Sequence, residues 1–178
     1  MDFTKRSLPE DVLPPLYSAV GHLVVTWANV DRALDFWIAI IYHDVGGKEE
    51  EHEIPRAFDR KKRFLSRCFR KVAVLAPFAA DAHKFMALAT SISETRHFVV
   101  HGTLSDFDPA KGEFTFVNLK PNKPKNMHIM QELRITGPQL LKKGVQCSVL
   151  GTQMYDFAFR LIKTFTPEDE IGEDAGGT

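Results

Sequence analysis

Between residues 16 and 41 the apolar side chains Leu16, Val20, Leu23, Trp27, Val30, Leu34, Trp37 and Ile41 follow one another in alternating steps of four and three. That spacing predicts an amphipathic helix with one continuous apolar stripe. At about 1.5 Å per residue it spans roughly 40 Å, so its neighbours should be long helices lying nearly parallel or antiparallel to it. Pro14 and Pro15 place its start just after them, and Gly46-Gly47 marks its end. A second helix is predicted over about residues 55 to 75, with Phe58, Leu65, Phe69 and Val72 on its apolar side and Pro77 stopping it. A third, over about 78 to 100, turns Phe85, Leu88, Ile92 and Val99 inward. It closes at His101-Gly102, where glycine can take the left-handed conformation that ends a helix.

The period then changes from helical to alternating. Residues 103 to 107, 113 to 117 and 127 to 135 predict three short strands, the first two joined by the turn Asp108-Pro109-Ala110-Lys111-Gly112. Gly137-Pro138 opens a last helix with Leu141, Val145, Leu150, Met154, Phe157 and Leu161 inside, its first half weakened by Gly144 and Gly151. The pattern predicts a mainly all-α fold, a four-helix bundle with a small antiparallel β insert between the third and fourth helices. No internal repeat is present. Residues 1–165 read as one helical domain with the insert at about 103–135, and residues 166–178 as an acidic, disordered tail.

The 178 residues are 44% hydrophobic and 26% charged, which excludes a fibrous or disordered chain. A chain of this length buries roughly two thirds of its unfolded surface, so it needs no disulfide or metal to fold. Cys68 and Cys147 are too few for a disulfide framework and read as reduced core thiols, with one bridge between them left open. The opening MDFTKRSLPED lacks the apolar run of a signal peptide, and Asn29, Asp31, Arg32 and Asp35 interrupt the most apolar stretch. A cytoplasmic protein with no membrane contact is expected.

Lys and Arg total 23, as do Asp and Glu, so no bulk charge draws the protein to nucleic acid. The charges are nevertheless segregated. Arg56, Arg60, Arg63, Arg67 and Arg70 recur at steps of four and three, with Lys61, Lys62 and Lys71 beside them. They form an arginine stripe on the side of the second helix away from Phe58, Leu65 and Phe69. Such a stripe suits an RNA backbone, through phosphate contacts that carry no sequence information. Alternatively Glu49, Glu50, Glu51 and Glu53, or the acidic tail, lie on it and neutralise it.

The chain has no HExxH, no CxxC pair and no GxxxxGK[ST] or GxGxxG loop, and its seven histidines are scattered. Neither a metal nor a cofactor is expected. Fourteen phenylalanines suggest small-molecule binding only weakly, because at helical spacing such rings are more often core. What remains is Glu94-Thr95-Arg96-His97-Phe98-Val99-Val100-His101-Gly102, where the third helix ends. Arg96, four residues and His101 match the Arg-x(4–6)-His signature of HEPN domains, and His97 fits the polar residue that usually follows that arginine. The segment resembles bacterial HEPN-like proteins in particular, and Thr26-Trp27-Ala28-Asn29-Val30-Asp31-Arg32-Ala33-Leu34 is similar to their long tryptophan-bearing first helix.

The resemblance implies a helical bundle acting as a homodimer, with a metal-independent endoribonuclease site at the dimer interface. It implies a toxin or phage-defence role, restrained by a partner such as a nucleotidyltransferase antitoxin. The β insert departs from a minimal bundle, and a non-catalytic HEPN-like module for protein association or RNA binding is the alternative.

Geometry constrains the motif independently. Residues five apart on a helix lie about 140° around the axis and roughly 7.5 Å along it, so Arg96 and His101 of one helix cannot converge on one phosphate. Either the helix ends before His101, or a two-fold axis brings the same segment of a second subunit alongside. His101 is the candidate proton carrier, because an ordinary imidazole, with a pKa of about 6.5, can both take the proton of a ribose 2′-OH and return one to a leaving 5′-oxygen. Arg96 would hold the charge that builds on the phosphate oxygens, giving a 2′,3′-cyclic phosphate, and His97 would orient Arg96 or the substrate. The competing reading has both side chains merely complementing the negative end of the helix.

Overall fold

The computed structural model describes residues 9–122 and 127–166; the acidic tail from residue 167 onward lies outside them. Four helices form, α1 Leu13–Asp44, α2 Phe58–Lys71, α3 Ala79–His101 and α4 Gly137–Phe165. Between α3 and α4 the chain makes β1 Thr103–Asp108, β2 Glu113–Asn122 and β3 Met127–Thr136, an antiparallel sheet in the order β1-β2-β3. The fold is thus mainly all-α with a small antiparallel insert. The chain divides into two compact units, Met1–Trp27 with Thr90–Ser148, and Ala28–Ala89 with Val149–Thr178.

The second unit is organised around Trp37. Its indole is fully buried, and an N–H so placed must find an acceptor; Nε1 donates to the Met154 carbonyl of α4 at 2.8 Å. Its ring meets Phe157 of α4, Phe85 of α3 and Phe69 of α2 at centroid distances of 4.4, 6.1 and 6.4 Å. Phe78 joins through Phe157. Where α1 ends, Gly46 takes the left-handed backbone (φ 80°). A Cβ on Gly47 would lie 2.7 Å from the Ile41 carbonyl oxygen, so the glycine pair is required by close approach as well as by conformation.

One charge is buried here. Lys61, placed beside the arginine stripe by its spacing, turns instead into the unit, its side chain 3% exposed, with Nζ 2.8 Å from Asp31 and 2.7 Å from Asp35. Both carboxylates are one turn apart on α1 and keep contact with water, so one ammonium answers two hydrated acids.

In the first unit Leu16, Leu23 and Thr26 of α1, Ile92, Thr95 and Val99 of α3 and Leu140 and Cys147 of α4 are buried together with Phe114, Phe116 and Ile135 of the sheet. Alternation puts Phe114 and Phe116 on one face of β2, and the register pairs them with Ile135 and Leu133 of β3. Asp108 caps the β1–β2 turn by accepting the Ala110 N–H at 3.0 Å, and Gly112 supplies its positive φ. Thr136 and Gln139 cap the start of α4 reciprocally: the Gln139 N–H donates to Thr136 Oγ1, and the Thr136 N–H to Gln139 Oε1.

Several expectations are corrected. Pro14 and Pro15 lie in the first turn of α1 rather than before it, where a helix has unpaired N–H groups and tolerates proline. The helix expected to run to residue 75 stops at Lys71. Val72 is extended, and a 3-10 segment Ala73–Phe78 follows with Pro77 inside it, since proline disfavours the α conformation of its predecessor. Leu88, Leu141 and Val145, expected inside, are exposed. Ile92, Val99, Leu150, Met154, Phe157 and Leu161 are buried as expected, and small residues share those faces: Ala82 and Ala89 on α3, and Gly144 on α4, where an added Cβ would stand 2.4 Å from the His22 ring. At Gly144 the missing side chain leaves room for that ring. Gly102 does not take the left-handed conformation. It is required because a Cβ there would lie 2.5 Å from the Phe98 carbonyl oxygen and 3.1 Å from that of Val117.

The Lys61 pairing yields a contrast. Replacing both Asp31 and Asp35 with Ala strands a buried ammonium and is expected to lower the unfolding free energy by about 3 kcal/mol, whereas Lys61→Met leaves two hydrated carboxylates and costs less than half of that. Urea unfolding of the two variants checks the difference.

Candidate functional site

Helix α3 delivers Arg96, His97 and His101 to its last two turns. It stays helical through His101, so the first way of uniting Arg96 with His101, an earlier helix end, is not realised. Within one chain the two side chains leave the axis about 140° apart. The helix instead brings together His97 and His101, one turn apart on one face. Both are exposed, with ring centroids 5.0 Å apart.

A partner from the sheet joins them. Asn118 of β2 places its amide nitrogen 2.9 Å from His97 Nε2. The bond ties the His97 ring to the sheet, and which of the two nitrogens donates follows the tautomer of the ring. Sequence reasoning missed Asn118. Its signal was present, because the alternation that turns Phe114 and Phe116 inward places Asn118 on the same face, two residues beyond. Gly102 makes the encounter feasible by letting the end of α3 lie against the β2 backbone at Val117. Arg96 is half-buried, and its Nε is shielded from water with no hydrogen-bond partner among the described residues. A guanidinium that has given up part of its hydration gains more from an anion than one in open water.

The arginine stripe of α2 is partly neutralised by the acids that precede it. Glu51 binds Arg60 Nη2 at 2.6 Å and also Arg67, while Glu50 accepts from Lys71 at 2.8 Å and lies beside Arg67. Arg56, Arg63 and Arg70 make no ion pair with a described residue. The five arginines therefore separate into two occupied and three open, and the second of the two sequence readings holds for Arg60 and Arg67. A cavity of about 690 Å³ opens by Tyr42, His52, Arg56 and Arg60, and its second arginine is already committed to Glu51.

Elsewhere little chemistry is assembled. Among the described residues no group of three His, Cys, Asp or Glu side chains could hold a metal ion, and no single helix is long and apolar enough to cross a membrane. Cys68 and Cys147 are buried free thiols. Burial, reinforced by the charge of Glu50, pushes the Cys68 thiol up to about 11, and burial raises Cys147 likewise. Neither is a nucleophile near neutral pH.

The hydrogen bonds from Arg60 and Arg67 hold the Glu51 carboxyl below its usual 4.5. A carboxylate depressed in the folded state adds stability that is complete above its unfolded pKa and is lost as the pH falls through the folded value. The stability gap between the wild-type protein and Glu51→Gln, read from urea midpoints, is therefore expected to be constant above pH 4.5 and to close below it. The chain matches no protein-family model, no curated protein and no solved structure.

Proposed function

We propose that this chain is the protomer of a homodimeric, metal-independent endoribonuclease of HEPN type, working at the C-terminal end of α3. The observation that carries the reading is the exposed His97–His101 pair, rings 5.0 Å apart, beside an arginine whose Nε has no described partner. Cleavage of RNA by its own 2′-oxygen needs one group to accept a proton and another to donate one. Two imidazoles side by side can divide those tasks near neutral pH. The 2′-oxygen attacks phosphorus as its proton passes to the neutral ring of His101. The bond from phosphorus to the 5′-oxygen breaks, and that oxygen takes a proton from the other imidazole in its charged form. A 2′,3′-cyclic phosphate and a 5′-hydroxyl result.

Arg96 would hold the non-bridging oxygens as their charge grows. Because α3 remains helical through His101, the guanidinium facing that histidine has to come from a second subunit, which is the reason for a dimer. Arg56, Arg63 and Arg70 would guide the RNA backbone, with the paired Arg60 and Arg67 contributing less. The proposed setting is a toxin or phage-defence protein held in check by an antitoxin partner, such as a nucleotidyltransferase, in the cytoplasm.

A second reading, a HEPN-like module for association without catalysis, is favoured by a different observation. Leu119 and its cross-strand partner Met130 are exposed on one face of the far end of the sheet, and Met127 and Ile129 on the other, as contact surfaces would be.

Incubation with labelled transfer RNA and single-stranded RNA in EDTA separates the two. The wild-type protein should produce fragments ending in a cyclic phosphate, and Arg96→Ala and His101→Ala should each slow cleavage by about a hundredfold or more. Absence of cleavage by all three proteins favours the association module. RNA affinity should fall steeply with added salt, and the triple variant Arg56→Ala, Arg63→Ala, Arg70→Ala should flatten the slope by about three units of log affinity per log salt at most.

A further inference from the structure

A sheet of three strands has two open edges, and this protein treats them differently. The β1 edge is short, broken by a bulge between Leu104 and Asp106, and carries Asp106 and Asp108. Bulges and charges of this kind discourage a strand from pairing with another chain. The β3 edge has no such protection. It runs ten residues from Met127 to Thr136, in unbroken one-to-one register with β2 and without a proline, and its outer side has no partner strand among the described residues. Met127, Ile129 and Met130 are exposed along it.

We propose that the β3 edge binds the β3 edge of a second copy of this chain, joining two three-stranded sheets into one of six strands about a two-fold axis at Leu133. The charge pattern selects both the occupant and the register. Glu132 and Arg134 are exposed, share one face of β3 and lie only 3.4 Å from each other. In an antiparallel pairing about Leu133, Glu132 stands opposite Arg134 of the second copy, and the reverse pair forms across the axis. Four charges then alternate in sign around a square, with two cross-strand pairs added to the two that exist. On the opposite face Leu133 meets Leu133 of the second copy. The Met127–Ile129 end of the strand passes beyond Thr136 of the second copy toward the start of its α4, where Leu141 is exposed.

The axis has a consequence for the α3 site. A two-fold that pairs each residue with an equivalent on the same side runs normal to the sheet. Both copies therefore present the same face to the same side, the face on which Asn118 holds His97. The joined sheet thus carries both α3 ends on one side, a condition that a composite of Arg96 and His101 has to meet. The interface rests on the strand edge and its charges alone, and it would supply the second subunit on which the proposed function depends.

Charge exchange tests it. Sedimentation equilibrium should show wild-type dimers. Glu132→Arg alone, or Arg134→Glu alone, turns the square into four like charges and should weaken dimerisation tenfold or more, to about the extent two cross-strand pairs allow. The double variant Glu132→Arg, Arg134→Glu restores alternating signs in both copies and should restore the dimer. Both sites are exposed, and circular dichroism checks that the three variants fold. A monomeric wild-type protein at hundreds of micromolar, a dimer indifferent to the single exchanges, or a double variant no better than the singles would each overturn the interface. A dimer that behaves as expected but cleaves no RNA overturns only the ribonuclease reading.

Discussion

The buried indole of Trp37 is the constraint from which the second unit is built. A ring of that size gains much from leaving water, yet its N–H would be costly there without an acceptor. The Met154 carbonyl provides one, although it lies 117 residues from Trp37 along the chain. Once that bond fixes the ring, Phe157, Phe85 and Phe69 have one arrangement in which to pack around it, and α2, α3 and α4 are positioned by their edges. The glycines serve the same end differently. Gly47 removes a Cβ where a carbonyl would be 2.7 Å away, and so turns backbone proximity into packing density.

In the first unit the equivalent role falls to the meeting of α3 with β2. Gly102 lets the helix end against a strand backbone, and Asn118 reaches His97 across that contact. The sheet is therefore part of the candidate site rather than an ornament upon a helical scaffold. It holds the ring of one histidine, while the helical repeat sets that histidine's distance from the other. Arg96, by contrast, is directed elsewhere by the same repeat, and its full use in the chemistry calls for a second copy of the chain.

Electrostatics in this protein are mostly local settlements. The formal charge is zero, and the segregated runs largely answer one another: Glu50 and Glu51 with Arg60, Arg67 and Lys71, and Asp31 and Asp35 with Lys61. What is left over is small and specific, three arginines on α2 and the self-complementary Glu132 and Arg134 on β3. Pairing of the first group reduces what the stripe could offer to a polyanion, because a guanidinium already bound to a carboxylate has less to gain from a phosphate.

The sequence by itself determined the kinds of the main elements and most of their bounds, though α2 Phe58–Lys71 is shorter than the 55 to 75 expected and β2 Glu113–Asn122 runs past the expected end at 117. Steps of three and four along α1 and alternation from Thr103 onward are backbone periodicities, and they survive whatever the chain packs against. It also located the α3 terminus, with its arginine and two histidines, because Gly102 punctuates it. Tertiary structure alone decided that Leu88, Leu141 and Val145 would stay exposed while Gly144 was buried, since Gly144 leaves room for the His22 ring, a property with no hydropathic signature. It decided that Lys61 would turn inward while Arg56, Arg63 and Arg70 stayed open, because that depends on where α1 presents two carboxylates. It also decided that Asn118 would meet His97, a contact between residues 21 apart in the chain that only the crossing of a helix over a strand can make.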